Sequence, residues 1–152
     1  GGKALPQGPA GRGSLPPPPG EFARLTGSAP QNDDTSRAAA AGELASASGQ
    51  ADLVVVLKGH RTVVTDGTRV AFNETGNPGM ATGGTGDVLT GLITALVCQG
   101  LAPFDAARLG AHLHGLASDL AAENLGQISL TARDLIDFLP AAFYASASIA
   151  SS

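Results

Sequence analysis

Residues 51–57 read Ala-Asp-Leu-Val-Val-Val-Leu. This run is rich in β-branched residues and has no polar alternation, a pattern typical of a strand buried on both faces of a parallel sheet. We therefore predict a central β-strand over Ala51–Leu57. Because such a strand needs helices to cover it, the run favours an α/β fold with helices packed on a sheet.

A β-hairpin is predicted directly after this strand. The segments Thr62–Thr65 and Thr68–Phe72 flank Asp66 and Gly67. Asp-Gly is a preferred pair for a two-residue type I′ turn, so we expect these segments to pair through such a turn.

Four helices are predicted around the strand and the hairpin, from apolar spacing and from typical start and stop residues. They are an Ala-rich helix over Ser36–Ser48, a buried helix from Asp87 to Gly100, a helix from Pro103 to Gly126, and a helix from Thr131 to Pro140. The strands are too few for a complete sheet.

Composition argues against several classes of function. The net charge is −4 and no Lys/Arg cluster occurs, so neither nucleic acid nor a membrane surface is an expected partner. The apolar run Val88–Cys98 is shorter than the roughly 20 residues that cross a bilayer, and the first residues do not resemble a secretory signal. Cys98 is the single cysteine, which we expect in the core. A reducing, cytoplasmic setting fits best.

The loop Gly83-Gly84-Thr85-Gly86-Asp87 carries the clearest chemical signal. Glycines let the backbone approach a ligand, and the first N–H groups of a helix have no internal partner. The amides of Gly84, Thr85 and Gly86 could therefore hold a phosphoryl group, with Asp87 beside it as a general base. The alternative is a plain turn in which Asp87 only caps the helix.

The segment Lys58-Gly59-His60-Arg61-Thr62 directly follows the predicted strand, where ligand sites of open α/β sheets tend to lie. Lys58 could meet a nucleotide phosphate and Thr62 could donate a hydroxyl; the alternative is a solvated strand end. His112 and His114 are two positions apart on a helix, so they cannot hold a metal ion together, and we expect His114 to be a packed helix residue.

The stretch Asn77–Leu89, Asn-Pro-Gly-Met-Ala-Thr-Gly-Gly-Thr-Gly-Asp-Val-Leu, closely resembles the signature of the ADP/ATP-dependent NAD(P)H-hydrate dehydratases. Further stretches agree with that family in the same order along the chain. They are Pro19–Leu25, Val56–Gly59, Leu113–Ala117 and Asp119–Ala121. The resemblance covers about residues 19–143.

The resemblance implies a ribokinase-like fold, a layered α/β/α sheet with helices on both faces, here truncated at its N-terminal side. It also implies a repair reaction in which ADP or ATP, with Mg²⁺, drives dehydration of hydrated NADH or NADPH, and it leaves a homo-oligomer possible. Carried over position by position, it makes Asp87 the substrate-side carboxylate. The positions that it assigns to the nucleotide are Lys58, Gly59, His60, Arg61, Thr62 and Gly86.

Two departures from the family pattern bear on activity. Pro18 stands where the family usually has a histidine that contacts substrate, and the sequence before it is Gly/Pro-rich. We expect residues 1–18 to be disordered or non-native, ordered structure to begin near Gly20, residues 19–143 to form the C-terminal portion of a nucleotide-binding domain, and residues 144–152 to be a disordered tail. Two alternatives stay open: a ribokinase-like small-molecule kinase, and a non-catalytic nucleotide-binding fragment.

Overall fold

The structure, a computed structural model, describes residues 33–50 and 52–150. The expectations for residues 1–18, for Pro18 and for ordered structure from Gly20 onward lie outside the described residues. The described part contains four α-helices and three β-strands. In chain order they are α1 (Asp34–Ala47), β1 (Val55–Leu57), β2 (Thr62–Thr65), β3 (Val70–Asn73), α2 (Thr85–Cys98), α3 (Pro103–Leu125) and α4 (Ala132–Ala150), with short 3₁₀ helices at Pro78–Met80 and Gln127–Ser129.

The three strands form one sheet in the order β1-β2-β3, and both pairings are antiparallel. Val56 lies opposite Val64, and Val63 lies opposite Phe72. The prediction of a parallel sheet was therefore wrong for the described strands, because β2 returns alongside β1 after only four residues, too few for a parallel crossover. The prediction that this strand is buried is confirmed over Val55–Leu57.

Helices cover both faces of the sheet, as expected for a layered α/β/α fold. Val55 and Leu57 pack against α1, whose buried stripe is Ala38, Ala41 and Ala45. The alternate side chains of the sheet pack against α2 and α3 on the opposite face. This division follows from the two-residue period of a strand. The small alanine side chains let α1 approach the sheet closely.

The hairpin forms as predicted, but its turn differs. Thr65 pairs with Val70, so four residues connect the strands instead of two. A type I′ turn requires positive φ at both central residues, and no non-glycine residue in the described ranges has positive φ. The Asp66 carboxylate instead accepts hydrogen bonds from the Thr68 and Arg69 N–H groups. This side-chain turn explains the longer connection.

Helix α2 buries one stripe of side chains and exposes Cys98. The stripe consists of Leu89, Leu92, Ile93 and Leu96. Cys98 lies two residues beyond Leu96, about 200° around the helix, which turns its thiol away from the core. The expectation of a buried Cys98 was therefore wrong: this cysteine is exposed and free.

Helix α4 begins as predicted and ends later than predicted. The Thr131 hydroxyl and the Asp134 carboxylate hydrogen-bond each other and cap the first turn. Pro140 does not close the helix but lies inside it, and residues 144–150 are helical instead of a disordered tail. Ala142, beyond the proline, is fully buried in the core, so packing continues the helix past the proline. None of the helices in the described ranges has the length and apolar character needed to span a bilayer.

Candidate functional site

The fold brings together two segments that lie 27 residues apart in sequence. Lys58 immediately follows β1, and Thr85 begins α2. The Lys58 ammonium donates a hydrogen bond to the Thr85 hydroxyl, with Nζ 3.4 Å from Oγ1. The two segments that sequence patterns singled out separately therefore meet at one place.

Thr85 is held from three sides and is almost completely buried, with 2% of its surface exposed. Its hydroxyl lies within donating distance of the carbonyl oxygens of Met80 (2.9 Å) and Thr82 (3.1 Å). Its own carbonyl lies 2.8 Å from Nε2 of His114. Since the hydroxyl is committed to these partners, the N–H group is the part of Thr85 left to contact a ligand.

The N-terminus of α2 leaves several N–H groups open. Gly84 is the N-cap residue with φ +87°, a left-handed conformation that glycine adopts without strain, and its carbonyl accepts from Val88 N–H at 3.1 Å. The described residues provide no acceptor for the N–H groups of Thr85, Gly86 and Asp87. Together with the helix dipole, these groups favour an anion at this position.

Asp87 lies in the first turn of α2 with an exposed side chain. Within residues 33–50 and 52–150, its carboxylate has no hydrogen bond or ion pair, and the cap residue Gly84 receives no side-chain hydrogen bond. The alternative in which Asp87 caps the helix through a hydrogen bond is therefore not realised, although its charge still complements the helix dipole. Its carboxylate is free to contact a ligand.

Burial shapes the electrostatics around Thr85. Burial lowers the pKa of Lys58 below its usual range. It also lowers the pKa of His114 to about 4; the hydrogen bond with the Thr85 carbonyl opposes this shift, and the Lys58 charge adds to it. His114 is therefore neutral near pH 7, and its Nε2–H donates to the Thr85 carbonyl. The expectation that His114 is a packed helix residue is confirmed, with 1% of its surface exposed.

The rest of the Lys58–Thr62 segment is arranged by neighbours other than the glycine loop. Arg61 forms ion pairs with Asp34 (3.8 Å) and Glu74 (3.3 Å), and His60 is exposed. In the part of the chain that the structure describes, no hydrogen bond joins His60, Arg61 or Thr62 to residues 83–87. Lys58 alone makes that connection.

Two sets of side chains that sequence reasoning missed fasten these segments in place. Arg37 of α1 donates to backbone carbonyls at both ends of residues 57–61. Asp119 of α3 accepts from Gly76 N–H (2.8 Å) and from the Asn77 amide (2.9 Å), which also donates to Ser118 (3.0 Å). Arg37 lies in an Ala-rich stretch without a motif, so no local pattern pointed to it.

An open groove of about 740 Å³ lies along β3 and the first half of α3. Its polar lining includes Glu74, Arg108 and His112. Asp87 is not among its lining residues, so this groove is distinct from the N-terminus of α2.

A family model described as NAD(P)H-hydrate dehydratase matches residues 7–141. The chain belongs to the NAD(P)H-hydrate dehydratase family. That match includes both segments of the site and all three strands.

Similar proteins agree with this family assignment. The bifunctional NAD(P)H-hydrate repair enzyme Nnr of Moorella thermoacetica is 51% identical over 128 residues, 83% of this chain and 23% of that protein. A Bacillus subtilis ADP/ATP-dependent NAD(P)H-hydrate dehydratase, co-crystallised with ATP/Mg²⁺, superposes with a TM-score of 0.77 at 37% identity, over 86% of this chain and 46% of that one.

The likeness also establishes the fold. A ribokinase-like superfamily protein of Enterococcus faecalis superposes with a TM-score of 0.63 at 29% identity, over 84% of this chain and 43% of that one. The predicted ribokinase-like α/β fold is confirmed. This member of the NAD(P)H-hydrate dehydratase family spans about a quarter of the length of the first curated relatives and about half of the solved structures that it matches.

Proposed function

We propose that the chain takes part in the nucleotide-dependent dehydration of hydrated NADH or NADPH, with ADP or ATP as the phosphoryl donor. The observation that carries the proposal is the contact of Lys58 with Thr85, which places a cation beside the open N–H groups of α2. A cation and a helix N-terminus are complementary to a phosphate. Membership in the NAD(P)H-hydrate dehydratase family supports the hydrated nicotinamide ring as the phosphoryl acceptor.

The proposed reaction has two steps. Asp87 accepts the proton of the ring hydroxyl while the hydroxyl oxygen bonds to the terminal phosphorus of the nucleotide. The bond from that phosphorus to the bridging oxygen breaks at the same time. The ring C–O bond then breaks, with its electron pair leaving on inorganic phosphate. The neighbouring ring carbon gives a proton to water, and the electron pair of that C–H bond restores the double bond. The phosphoryl group thus turns a poor leaving group into a good one.

The other predicted residues bind and orient in this proposal. Lys58 and the N–H groups of Thr85 and Gly86 hold the transferring phosphate, while Gly84 lets the backbone turn tightly around it. The remaining nucleotide contacts come from the segment that follows Lys58. Its residues are Gly59, His60, Arg61 and Thr62.

Magnesium is proposed with the nucleotide, since the Bacillus subtilis relative was co-crystallised with ATP/Mg²⁺. The described residues contain no group of three His, Cys, Asp or Glu side chains suited to a metal ion. Proteins commonly hold Mg²⁺ through substrate phosphates and one or two carboxylates, so we assign this chain no ligand set of its own.

The proposal is tested with wild type and Asp87→Asn, which removes the base and keeps the side-chain size. Turnover of hydrated NADH with ADP or ATP is followed by the recovery of NADH absorbance, and nucleotide affinity by calorimetry. We expect Asp87→Asn to bind nucleotide like wild type and to lose turnover by at least about 100-fold, a usual contribution of a general base. Asp105→Asn, an exposed aspartate in the first turn of α3, is the matched control.

Other outcomes favour other functions. Near-normal turnover by Asp87→Asn would remove Asp87 from the base role. Phosphorylation of a thiazole or pyrimidine alcohol in place of hydrated NADH would favour the small-molecule kinase. Nucleotide binding by wild type without any turnover would favour the non-catalytic nucleotide-binding fragment. This alternative is motivated by the length of the chain, which covers 46% of the solved Bacillus subtilis relative.

We also propose a cytoplasmic location. Cys98 is an exposed free thiol in the structure, and reducing compartments maintain such thiols. A homo-oligomer stays a prediction that size-exclusion chromatography with light scattering would test.

A further inference from the structure

Arg37 is a buried cation on α1, the helix to which sequence patterns assigned no function. Only 7% of its surface is exposed. Its guanidinium donates from Nη2 to the Leu57 carbonyl (3.1 Å) and from Nη1 to the Arg61 carbonyl (2.9 Å). Nη1 also contacts the Asp34 carboxylate at 3.0 Å, which balances the charge.

The two carbonyls lie at opposite ends of the short segment that contains Lys58. Gly59, in the middle of this segment, lies against the guanidinium so closely that a Cβ at this position would collide with it. The backbone therefore wraps around the Arg37 fork, with both ends bonded and the middle in contact. A planar guanidinium can bond two carbonyls at once, which a lysine ammonium in the same place does poorly.

We propose that Arg37 is a positioning residue for nucleotide binding: it fixes residues 57–61 so that Lys58 is presented to Thr85 and to the open amides of α2. This inference rests on the proposed function, since it assigns the fixed segment to a nucleotide. The inference assigns a role in nucleotide binding to a residue of α1, on the face of the sheet opposite to α2, that acts through the backbone of residues 57–61 and not by contact with the phosphate. Without Arg37, the described side-chain contacts that hold residues 58–61 would be the Lys58–Thr85 hydrogen bond and the Arg61 ion pairs with Asp34 and Glu74.

A purely structural role predicts a different result. If Arg37 only satisfied buried carbonyls, its loss would lower stability and leave the nucleotide affinity of the folded protein unchanged. Arg69 is a control for the loss of an arginine charge: it is also paired with a carboxylate, Asp66, and lies over the Phe104 ring, but its side chain is exposed. It lies at the hairpin turn, away from residues 57–61.

The experiment compares wild type with Arg37→Lys, Arg37→Met and Arg69→Met. The Kd for ADP and for ATP is measured by calorimetry below the melting temperature of every variant, together with amide hydrogen exchange of residues 58–62. Turnover kinetics give nucleotide KM and kcat where turnover is detectable.

We expect Arg37→Met to raise the Kd about tenfold, which corresponds to about 1.4 kcal/mol, to raise KM by a similar factor and to leave kcat near wild type. Arg37→Lys should fall between wild type and Arg37→Met. Faster exchange of residues 58–62 should accompany the loss of affinity, while Arg69→Met binds like wild type. If Arg37→Met does not fold, the Kd and the amide exchange of Arg37→Lys test the inference instead.

Two failures can be told apart. Wild-type nucleotide affinity in a folded Arg37 variant, or an equal loss in Arg69→Met, would overturn the inference and leave the proposed function standing. Absence of ADP and ATP binding by wild type would overturn the proposed function and the inference with it.

Discussion

His114 connects the core to the candidate site through one hydrogen bond. Its side chain is buried in α3, and its Nε2–H donates to the Thr85 carbonyl. Protonation of the ring would place a charge beside Lys58 in a buried environment, which is why the pKa lies near 4. The residue that holds Thr85 in place is therefore also sensitive to acid.

We predict that His114 makes the fold less stable as the pH falls from 6.5 toward 4. The folded pKa of about 4 lies below the ordinary value of 6.5, so the unfolded chain binds the proton first. The stability from the neutral side chain is complete above pH 6.5 and is lost as the pH falls through the folded pKa. The loss reaches roughly 3 kcal/mol, since a difference of one in pKa corresponds to about 1.4 kcal/mol.

Urea unfolding at several pH values between 7 and 4.5 measures this effect. His114→Gln should flatten the pH dependence, because glutamine can still donate to the Thr85 carbonyl and does not titrate. His112→Gln, two residues away on the same helix, should keep the wild-type slope. Equal slopes for wild type and His114→Gln would contradict the assignment.

At the scale of single residues, sequence singled out candidate site residues that belong to a motif and assigned no role to those without one. Lys58 and Asp87 belong to contiguous segments whose chemistry can be read directly. Arg37 and Asp119 act through partners 20 and 43 residues away, so their roles depend on the fold and have no local pattern. For Asp119, a stretch resembling the family was the one available signal.

At the scale of elements, side-chain hydrogen bonds from α3 hold the connection from β3 to α2. Asp119 accepts from Gly76 N–H and from the Asn77 side-chain NH₂ group, and the side-chain oxygen Oδ1 of Asn77 accepts from Gly79 N–H. This chain of bonds fixes the direction of the loop before it reaches Gly84. Asp119 of α3 thereby positions the N-terminus of α2 indirectly, through the loop that leads to it.

We predict that Asp119→Asn loosens this loop and that the exchanged pair Asn77→Asp with Asp119→Asn restores it. In the single variant, the oxygen of the new asparagine can accept from Gly76 N–H, but its NH₂ group then faces the NH₂ group of Asn77. One donor therefore loses its partner, at a cost of roughly 1–3 kcal/mol. In the double variant, the new asparagine can accept from Gly76 N–H and donate to the new aspartate, which still accepts from Gly79 N–H.

Denaturant unfolding and amide exchange of residues 76–86 measure the loosening. Glu123→Gln, an exposed change one turn further along α3, is the control and should match wild type. Unchanged stability and exchange in Asp119→Asn would show that the bonds to Asp119 do not hold the loop.

Element boundaries could be predicted where one residue marks an end. Pro103 and Gly126 bracket α3 because a proline fits the first helical turn and a glycine fits the position after the last one. The prediction that Pro140 ends α4 was wrong, because the fold buries Ala142 beyond the proline. The antiparallel pairing of β1 could not be predicted from the strand itself, because burial on both faces produces the same apolar run in either direction.

At the scale of the whole molecule, the candidate site joins both layers of helices through the sheet. Arg37 on α1 bonds the segment after β1, and Lys58 from that segment reaches Thr85 at the start of α2 on the other face. A ligand that binds Lys58 and the α2 amides together would therefore strengthen the connection between the layers. Nucleotide binding should therefore raise the free energy of unfolding of the whole described fold.

We predict that saturating ADP or ATP raises the melting temperature of the wild-type chain and not that of Lys58→Met. A ligand at about 100 times its Kd adds about 2.7 kcal/mol to stability, which for a domain of this size corresponds to roughly 10 °C. Lys58→Met keeps the length of the side chain and removes its charge. Arg69→Met removes an equal charge at the hairpin turn and should keep the wild-type increase. A shift of equal size in Lys58→Met would mean that the nucleotide binds elsewhere, because the Lys58 side chain, which joins the two segments in the described part of the chain, would then be dispensable.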